Sequence, residues 1–233
     1  MKNFTLDGRL SSAAKFVRQG ARFADIGTDH AYLPIFLLRS GIIDYAVCSD
    51  INEGPLASAR ENAREAGVFE KIDFTLANGA DALGDKRITD VAICGMGGEL
   101  IAEIVARAPH LRKKEIRLIL QPMSKLAPLR RELCGLGFEI IDEQCSSSAG
   151  KLYITMCAEY KGIERYIDEM EAEFGSEKFL YEIDEYKKEF LIRKAHALQR
   201  AASGKAEGGE ADSAESRLYS YIKDVLFQRG IFL

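Results

Sequence analysis

Cysteine is scarce in this sequence and follows no pairing pattern. No two of the cysteines are spaced as Cys-x-x-Cys; the five are Cys48, Cys94, Cys134, Cys145 and Cys157. An odd number of thiols, mostly inside predicted strands and helices, is typical of buried, reduced cysteines. The pattern argues against a disulfide framework and against a structural zinc site, so we expect no bound metal.

Long apolar runs are also missing. No stretch of the 233 residues approaches the roughly 20 apolar residues that a bilayer-spanning helix requires. The first seven residues lack the apolar core of a secretory signal. We therefore expect a cytoplasmic protein without a membrane partner. Because 47% of the residues are hydrophobic, the chain can bury one full core and still carry a small appendage.

Charge of either sign is unevenly distributed. The net charge of −4 argues weakly against a nucleic-acid partner, yet two groups of basic residues stand out. The first group is Lys2, Arg9, Lys15, Arg18 and Arg22. The second is Arg107, Arg112, Lys113, Lys114, Arg117, Lys125, Arg130 and Arg131. Such groups can hold phosphates, although solvated surface charge is the simpler explanation for either group alone.

The most informative motif runs from Asp25 to Pro34, with the sequence Asp-Ile-Gly-Thr-Asp-His-Ala-Tyr-Leu-Pro. It ends an apolar strand in an acidic turn, where Gly27 lets the backbone approach a nucleoside-bearing ligand closely. The dinucleotide fingerprint Gly-x-Gly-x-x-Gly is absent, because Asp29 stands where a second glycine would face a pyrophosphate. The motif therefore disfavours NAD and FAD. It suits S-adenosyl-L-methionine, which carries a sulfonium and an ammonium but no phosphate.

Three further predicted strands end in residues suited to the same ligand. Asp50 follows the first strand end by about 25 residues, a spacing from which an acid can grip ribose hydroxyls. Residues 78–80, Asn-Gly-Ala, follow the next strand, and we expect them at the adenine edge. Residues 95–98, Gly-Met-Gly-Gly, follow the fourth strand and leave room for a flat base.

Each of these assignments has a purely structural alternative. Asp25 and Asp50 can be ordinary strand-end caps, and His30 can cap a helix. The Asn-Gly dipeptide is also a common turn, and Met96 can be packing.

Alternating strands and helices extend to about residue 159, which predicts an α/β domain. The last two predicted strands, residues 138–143 and 151–159, are joined by a loop too short for a parallel crossover. The final strand must therefore run antiparallel to its neighbour. A doubly wound sheet with one reversed strand resembles the Rossmann-like fold of class I methyltransferases. We expect this donor-binding domain at residues 1–160.

Residues 161–233 have a different texture, with apolar residues at three-to-four spacing on charged helices. A low-complexity loop at residues 203–213 separates two such helices, which predicts a C-terminal coiled-coil hairpin. Its basic half could touch RNA, although a solvated helix face is the simpler explanation. We expect a monomer or a weak dimer.

Four segments together resemble the TrmK family of bacterial enzymes. They are residues 25–34, Gly95-Met96-Gly97-Gly98, Leu120-Gln121-Pro122 and Gly150-Lys151-Leu152-Tyr153. The resemblance covers nearly the whole chain and implies methylation of N1 of adenine 22 in the D arm of transfer RNA, with S-adenosyl-L-methionine as donor. The family commonly has Asn after Leu-Gln-Pro, where this chain has Met123.

The resemblance and the motifs together give a predicted site. A ring nitrogen of adenine already owns its lone pair, so the acceptor needs no strong base; a carboxylate near the exocyclic amine stabilises the developing charge. Asp29 is predicted for this role, with His30 and Tyr32 beside it to orient it or to stack on the base. The predicted donor-binding residues are Asp25, Gly27, Asp29, His30, Asp50, Ile51, Asn78, Gly79, Ala80, Gly95, Met96 and Gly97. The predicted RNA-binding residues are Arg9, Lys113, Lys114, Gln121, Pro122, Arg130 and Arg131.

Two other functions are compatible with the same sequence. One is a small-molecule methyltransferase, for which the basic groups are incidental. The other is an inactive RNA-binding or protein-binding module on the same fold.

Overall fold

The computed structural model describes residues 5–84, 86–208 and 210–233. Lys2 of the first basic group and Gly209 of the predicted loop lie outside the described residues. The chain divides into two compact units, one extending to Tyr166 and one beginning at Ile167. The domain boundary after residue 160 stays a prediction.

Strands and α-helices alternate in the first unit. The strands are β1 (Ala21–Ile26), β2 (Ile43–Asp50), β3 (Ile72–Leu76), β4 (Asp90–Cys94), β5 (Arg117–Gln121), β6 (Phe138–Ser148) and β7 (Lys151–Tyr160). The helices are α1 (Gly8–Phe16), α2 (Tyr32–Arg39), α3 (Glu53–Glu65), α4 (Gly98–Ala106) and α5 (Leu126–Gly135). The predicted alternation is therefore confirmed.

All seven strands form one sheet, in the order β3-β2-β1-β4-β5-β7-β6. Strand β7 is antiparallel to both β5 and β6, whereas β1 pairs in parallel with β2 and β4. The single reversed strand of the predicted methyltransferase fold is thus confirmed. The strand order reverses between β1 and β4, and the carboxyl ends of strands at such a point form the usual ligand crevice of an α/β sheet.

The central strands read as continuous apolar runs because both of their faces are covered. Phe23 and Ala24 of β1 and the stretch Val91–Ile93 of β4 are fully buried. Parallel strands inside a doubly wound sheet show this pattern, in contrast to the alternation of half-exposed strands. The fully buried centre of the sheet therefore lies beneath the crevice.

Strand β6 is longer than predicted. It runs to Ser148, where the sequence prediction ended it at Glu143. The serine-rich end pairs with β7 as far as Ser148 and Lys151, and the two turn residues Ala149 and Gly150 have φ of 48° and 74°. Two successive residues with positive φ match the right-handed twist of a tight hairpin. The longer hairpin brings its turn to the crevice.

Within the described residues, the second unit contains four helices. They are α6 (Glu169–Phe174), α7 (Glu177–Tyr181), α8 (Glu185–Glu207) and α9 (Ala214–Gln228). The expected pair of long helices is present as α8 and α9, which contact each other. Both helices carry fully buried apolar residues, such as Leu191 and Ile222.

Two details of the predicted hairpin are wrong. Helix α8 continues through residues 203–207, because Ala, Lys and Glu are good helix formers and one glycine costs only about 1 kcal/mol. The apolar residues that precede α8 do not lie on one continuous helix. The chain breaks at Gly175, which has a φ of 88°. The side chains of Asp168, Ser176 and Asp184 each accept a hydrogen bond from a backbone N–H three residues further on, and so each begins a new helix.

Three further properties concern the described residues as a whole. None of their helices is both long and apolar enough to cross a bilayer. Their His, Cys, Asp and Glu side chains form no group of three or more that could hold a metal ion. The five cysteines lie within the described ranges, form no disulfide, and are buried except for the half-buried Cys94.

Candidate active site

A pocket of about 690 Å³ opens at the carboxyl ends of β1 and β4. Asp25 and Gly27 line it at the end of β1, and Cys94, Gly95 and Met96 line it at the end of β4. The amino-terminal part of α1 and the turn between β6 and β7 also contribute to its wall. Its volume is in the range of small-molecule sites, and it lies at the predicted crevice.

Asp25 is a buried negative charge with few partners. Its side chain is 8% exposed, and Oδ2 accepts a hydrogen bond from the hydroxyl of Thr28. Burial raises the pKa of Asp25 to about 6; the Thr28 hydrogen bond and the charge of Arg9 oppose the rise, and the charge of Asp50 adds to it. A carboxylate that is poorly compensated in the free protein is suited to bind a cation.

Gly27 forms the turn beneath the pocket. Its φ of 74° lies in the left-handed region, and a Cβ built on it would overlap the Cε methyl of Met96. The N–H groups of Gly27 and Thr28 both donate to the carbonyl of Ser49, at 2.8 and 2.9 Å. The turn is therefore tied to β2, and its left-handed backbone favours glycine.

Asp29, His30 and Tyr32 lie together at the same pocket. His30 Nε2 is 3.3 Å from Asp29 Oδ2, and the rings of His30 and Tyr32 stack with centroids 5.1 Å apart. Asp29 and His30 precede α2. Ala31, with a φ of 54°, adopts a left-handed conformation at the amino end of this helix. The Asp29 side chain is 73% exposed, so a large acceptor can reach it.

The remaining predicted donor-binding residues follow the neighbouring strands. Asp50 ends β2, and its Oδ1 accepts a hydrogen bond of 2.8 Å from the Asn52 N–H, which is the strand-end cap considered as an alternative. Ile51 is exposed beside it. Residues 78–80 line a separate cavity of about 80 Å³ with Ile104 of α4. Since β3, β2, β1 and β4 are adjacent, these groups form one row along the carboxyl edge.

Gln121 and Pro122 lie inside the protein. Gln121 is fully buried, its Oε1 accepts from Arg9 Nη1 at 3.0 Å, and its Nε2 donates to the carbonyl of Pro122 at 2.9 Å. Pro122 is buried as well. The prediction that these two residues contact RNA is wrong, because the amide is used inside the protein.

Arg130 is also an internal residue. Its side chain is 1% exposed and pairs with Glu143, which is 2% exposed, through Nε at 3.0 Å and Nη2 at 2.8 Å. A guanidinium buried in this way cannot reach a phosphate, so the RNA-binding prediction for Arg130 is wrong. Arg131, the next residue on α5, is exposed, and its role stays a prediction.

Lys113 and Lys114 lie just before β5, at the amino ends of the strands. Lys113 lines a different cavity of about 440 Å³, together with His110 and Glu115. The amino ends of parallel strands form the edge of the sheet opposite the crevice. The structure therefore does not bring the predicted RNA-binding lysines to the pocket.

The sequence missed several residues that line the pocket. Met123 is half exposed there, and its N–H donates to the carbonyl of Met96 at 2.8 Å, which joins the loops after β4 and β5. Ser148 and Tyr153 reach the pocket from the hairpin of β6 and β7. Tyr153 stood in a segment that carried the family resemblance, but a serine run interpreted as a loop hid how far the hairpin extends.

Comparison with known proteins agrees with this architecture. A family model described as a methyltransferase domain matches residues 6–156. The chain is 32% identical over 159 residues to the tRNA (adenine(22)-N(1))-methyltransferase of Bacillus subtilis, a match that covers 68% of this chain and 67% of that protein.

Solved structures extend the similarity into the second unit. Streptococcus pneumoniae Sp1610 in complex with S-adenosyl-L-methionine is 33% identical, with a TM-score of 0.82 over 94% of this chain and 98% of that one. M. capricolum TrmK in complex with S-adenosyl-homocysteine is 27% identical, with a TM-score of 0.78 over 94% of this chain and 98% of that one. The chain therefore belongs to the TrmK family of methyltransferases, as its motifs predicted.

Proposed function

We propose that this protein transfers a methyl group from S-adenosyl-L-methionine to N1 of adenine 22 in the D arm of transfer RNA. The observation that carries the proposal is the pocket over β1 and β4, where the buried Asp25 meets a glycine turn, in a chain 32% identical to a tRNA (adenine(22)-N(1))-methyltransferase. The proposal therefore combines the chemistry of this pocket with the family to which the chain belongs.

The pocket fits a cationic donor that carries no phosphate. Asp25 supplies the negative charge for an ammonium, and Gly27 lets the chain approach closely. Asp29 at the same pocket disfavours a pyrophosphate. Asp50 and Ile51 are assigned to the ribose, and residues 78–80 to the adenine, along the row of strand ends. When bound, the donor supplies a methyl group on a sulfonium.

The acceptor side is assigned to the mouth of the pocket. The lone pair of adenine N1 forms the new bond to carbon as the sulfur–carbon bond breaks, so the positive charge moves from sulfur to the base. Asp29 stabilises that charge from the exocyclic amine, His30 at 3.3 Å orients the carboxylate, and Tyr32 offers a partly exposed ring for stacking.

The base must leave its stack before it can react, at a cost of a few kcal/mol that contacts with the RNA backbone must offset. Arg131 is assigned to those contacts because it is exposed on α5. We further propose that the protein works in the cytoplasm, where transfer RNA matures, and that it is a monomer or a weak dimer.

Mass spectrometry of nucleosides tests the proposed function directly. An unmodified transfer-RNA transcript is incubated with the purified protein and the donor, then digested. We expect 1-methyladenosine, and none from a transcript with guanine at position 22 or from free adenosine. Methylation of another atom, or of free adenosine at a similar rate, would contradict the proposal.

Asp29→Ala tests the role assigned to this carboxylate. We expect kcat to fall by about tenfold to a hundredfold, because the charge that develops on the base loses its partner. The thermal midpoint should hardly change, since the side chain is 73% exposed. Asp44→Ala removes another exposed carboxylate, on β2, and should leave kcat unchanged. Equal rates for the two variants would remove Asp29 from the mechanism.

A further inference from the structure

Gln121 has a buried amide whose two ends are both engaged. It is fully buried at the end of β5, and its Nε2 is fixed by the carbonyl of Pro122. Its Oε1 therefore points in a set direction, and Arg9 Nη1 donates to it at 3.0 Å. A neutral amide held at both ends is a rigid support for the group that it binds.

Arg9 is the pocket residue that this amide supports. Its side chain is 22% exposed, and Nε lies 3.6 Å from Oδ2 of Asp7 on the other side. A Cβ built on Gly95 would be 3.4 Å from Nη1, so the guanidinium lies close over the glycine loop at the end of β4. Two restraints thus fix the guanidinium at the donor side of the pocket.

Arg9 and Asp25 line the same pocket without forming an ion pair with each other. Among the described residues, the hydrogen-bond partner of the Asp25 carboxylate is Thr28, and the acceptor held by Arg9 is Gln121. One positive and one negative group are therefore held apart in a single cavity. An α-amino acid group, with its carboxylate and ammonium, has the complementary pair of charges.

We propose that Gln121 is a positioning residue that holds Arg9 in place, so that Arg9 and Asp25 bind the carboxylate and the ammonium of the donor's amino acid group. The inference rests on the proposed function, because it assumes a donor that carries a methionine moiety. It moves Arg9 from the RNA to the donor. It also explains how a residue that no substrate touches can govern affinity.

Two donors that differ in one group test the proposal. S-adenosyl-L-methionine has the carboxylate, and its decarboxylated analogue lacks it but keeps the ammonium, the sulfonium and the nucleoside. In calorimetric titrations we expect Arg9→Ala to weaken binding of S-adenosyl-L-methionine by about tenfold to a hundredfold, the usual effect of losing a charge-assisted pair. Binding of the analogue should change by less than about twofold, because that ligand makes no contact of this kind.

Gln121→Met separates positioning from a merely structural role. It removes the hydrogen bonds of the amide to Arg9, Pro122 and Met123 at similar volume. We expect about tenfold weaker binding of S-adenosyl-L-methionine with little change for the analogue. A general disturbance of the pocket would weaken both ligands alike and overturn the proposal. Thr155→Val is the matched control, because it alters another buried polar side chain of the sheet, outside the pocket lining.

Transfer-RNA affinity separates the remaining outcomes. Arg9→Ala should leave the Kd for transfer RNA within about twofold. Loss of a phosphate contact would instead raise this Kd and reduce its salt dependence. Loss of RNA binding with unchanged donor binding would return Arg9 to the RNA and overturn the inference. If the unaltered protein binds both donors equally, the assignment of Arg9 to the donor carboxylate is wrong and the proposed function stands. If it binds neither donor, the proposed function itself fails.

Discussion

Asp25 and Asp90 are buried aspartates on the neighbouring strands β1 and β4. Asp25 lies at the carboxyl ends of the parallel strands and Asp90 at their amino ends, and the surroundings of the two carboxylates differ sharply. Asp90 is fully buried at the start of β4 and accepts hydrogen bonds from the backbone N–H of Arg18 and from its Nε, both at 2.8 Å. Asp25 at the end of β1 has the Thr28 hydroxyl, and its pKa is raised to about 6 by burial.

The difference separates a structural carboxylate from one kept ready for a ligand. A buried charge that is fully hydrogen-bonded holds elements together, and here it fixes Arg18, two residues after α1, to β4. A buried charge that is poorly compensated destabilises the free protein and is relieved when a cation binds. We infer that Asp90, at the amino ends of the parallel strands, stabilises the fold, whereas Asp25, at their carboxyl ends, binds the donor.

The largest expected effect is on stability, at Asp90. Asp90→Ala leaves the Arg18 guanidinium without its carboxylate and removes three hydrogen bonds, which come from the backbone N–H, Nε and Nη2 of Arg18. We expect the free energy of unfolding to fall by about 3 kcal/mol, measured by urea denaturation. Folded Asp90→Ala protein should still bind the donor with unchanged affinity. A stable variant with weakened donor binding would reverse the roles of the two aspartates.

A comparison of two glycines separates an effect on donor binding from an effect of backbone strain. Gly27 and Gly20 share a φ of 74°, but a Cβ on Gly27 would meet Met96, whereas a Cβ on Gly20 has nothing within 4 Å. Both Ala variants should lose about 1 kcal/mol of stability from the left-handed conformation.

Donor affinity should then distinguish the two variants. We expect Gly27→Ala to weaken donor binding by about tenfold or more, because the new methyl group occupies the space in which the donor approaches the backbone. Gly20→Ala should bind as the unaltered protein does. Equal affinities in calorimetry would show that the turn is not the donor site.

The smallest effect concerns pH. Asp25 must be ionised to bind an ammonium, and its pKa is about 6 in the free protein. The ionised fraction falls about fourfold between pH 7.5 and 5.5, so donor affinity should fall by a similar factor, measured by calorimetry. Asp25→Asn should show a flat profile over this interval. A flat profile for the unaltered protein would mean that Asp25 does not bind the ammonium.

Most of the fold and the central part of the site follow from local patterns in the sequence. The apolar runs and the turns that end them place Asp25, Asp50, Asn78 and Gly95 at four adjacent strand ends, because parallel strands share one carboxyl edge. The short connection between β6 and β7 dictates the reversed strand. These features depend on neighbours along the chain.

The errors concern long-range partners. Gln121 is joined to Arg9 across 112 positions, so no local pattern shows that the amide is used internally. Arg130 is buried because Glu143 faces it from another element, and a basic residue without a visible partner is read as surface charge. The scattering of Lys113 and Arg131 to different places likewise follows from topology and not from spacing.

Calorimetric titration of S-adenosyl-L-methionine into the unaltered protein and into Asp25→Asn at pH 7.5 tests the central claim most directly. The Asn side chain can still accept the Thr28 hydrogen bond but carries no charge. Because an ionised Asp25 with a raised pKa destabilises the native state above pH 6, the variant should be more stable by about 1–2 kcal/mol. We predict donor binding at least about tenfold weaker in this more stable variant. Unchanged donor affinity would contradict the account.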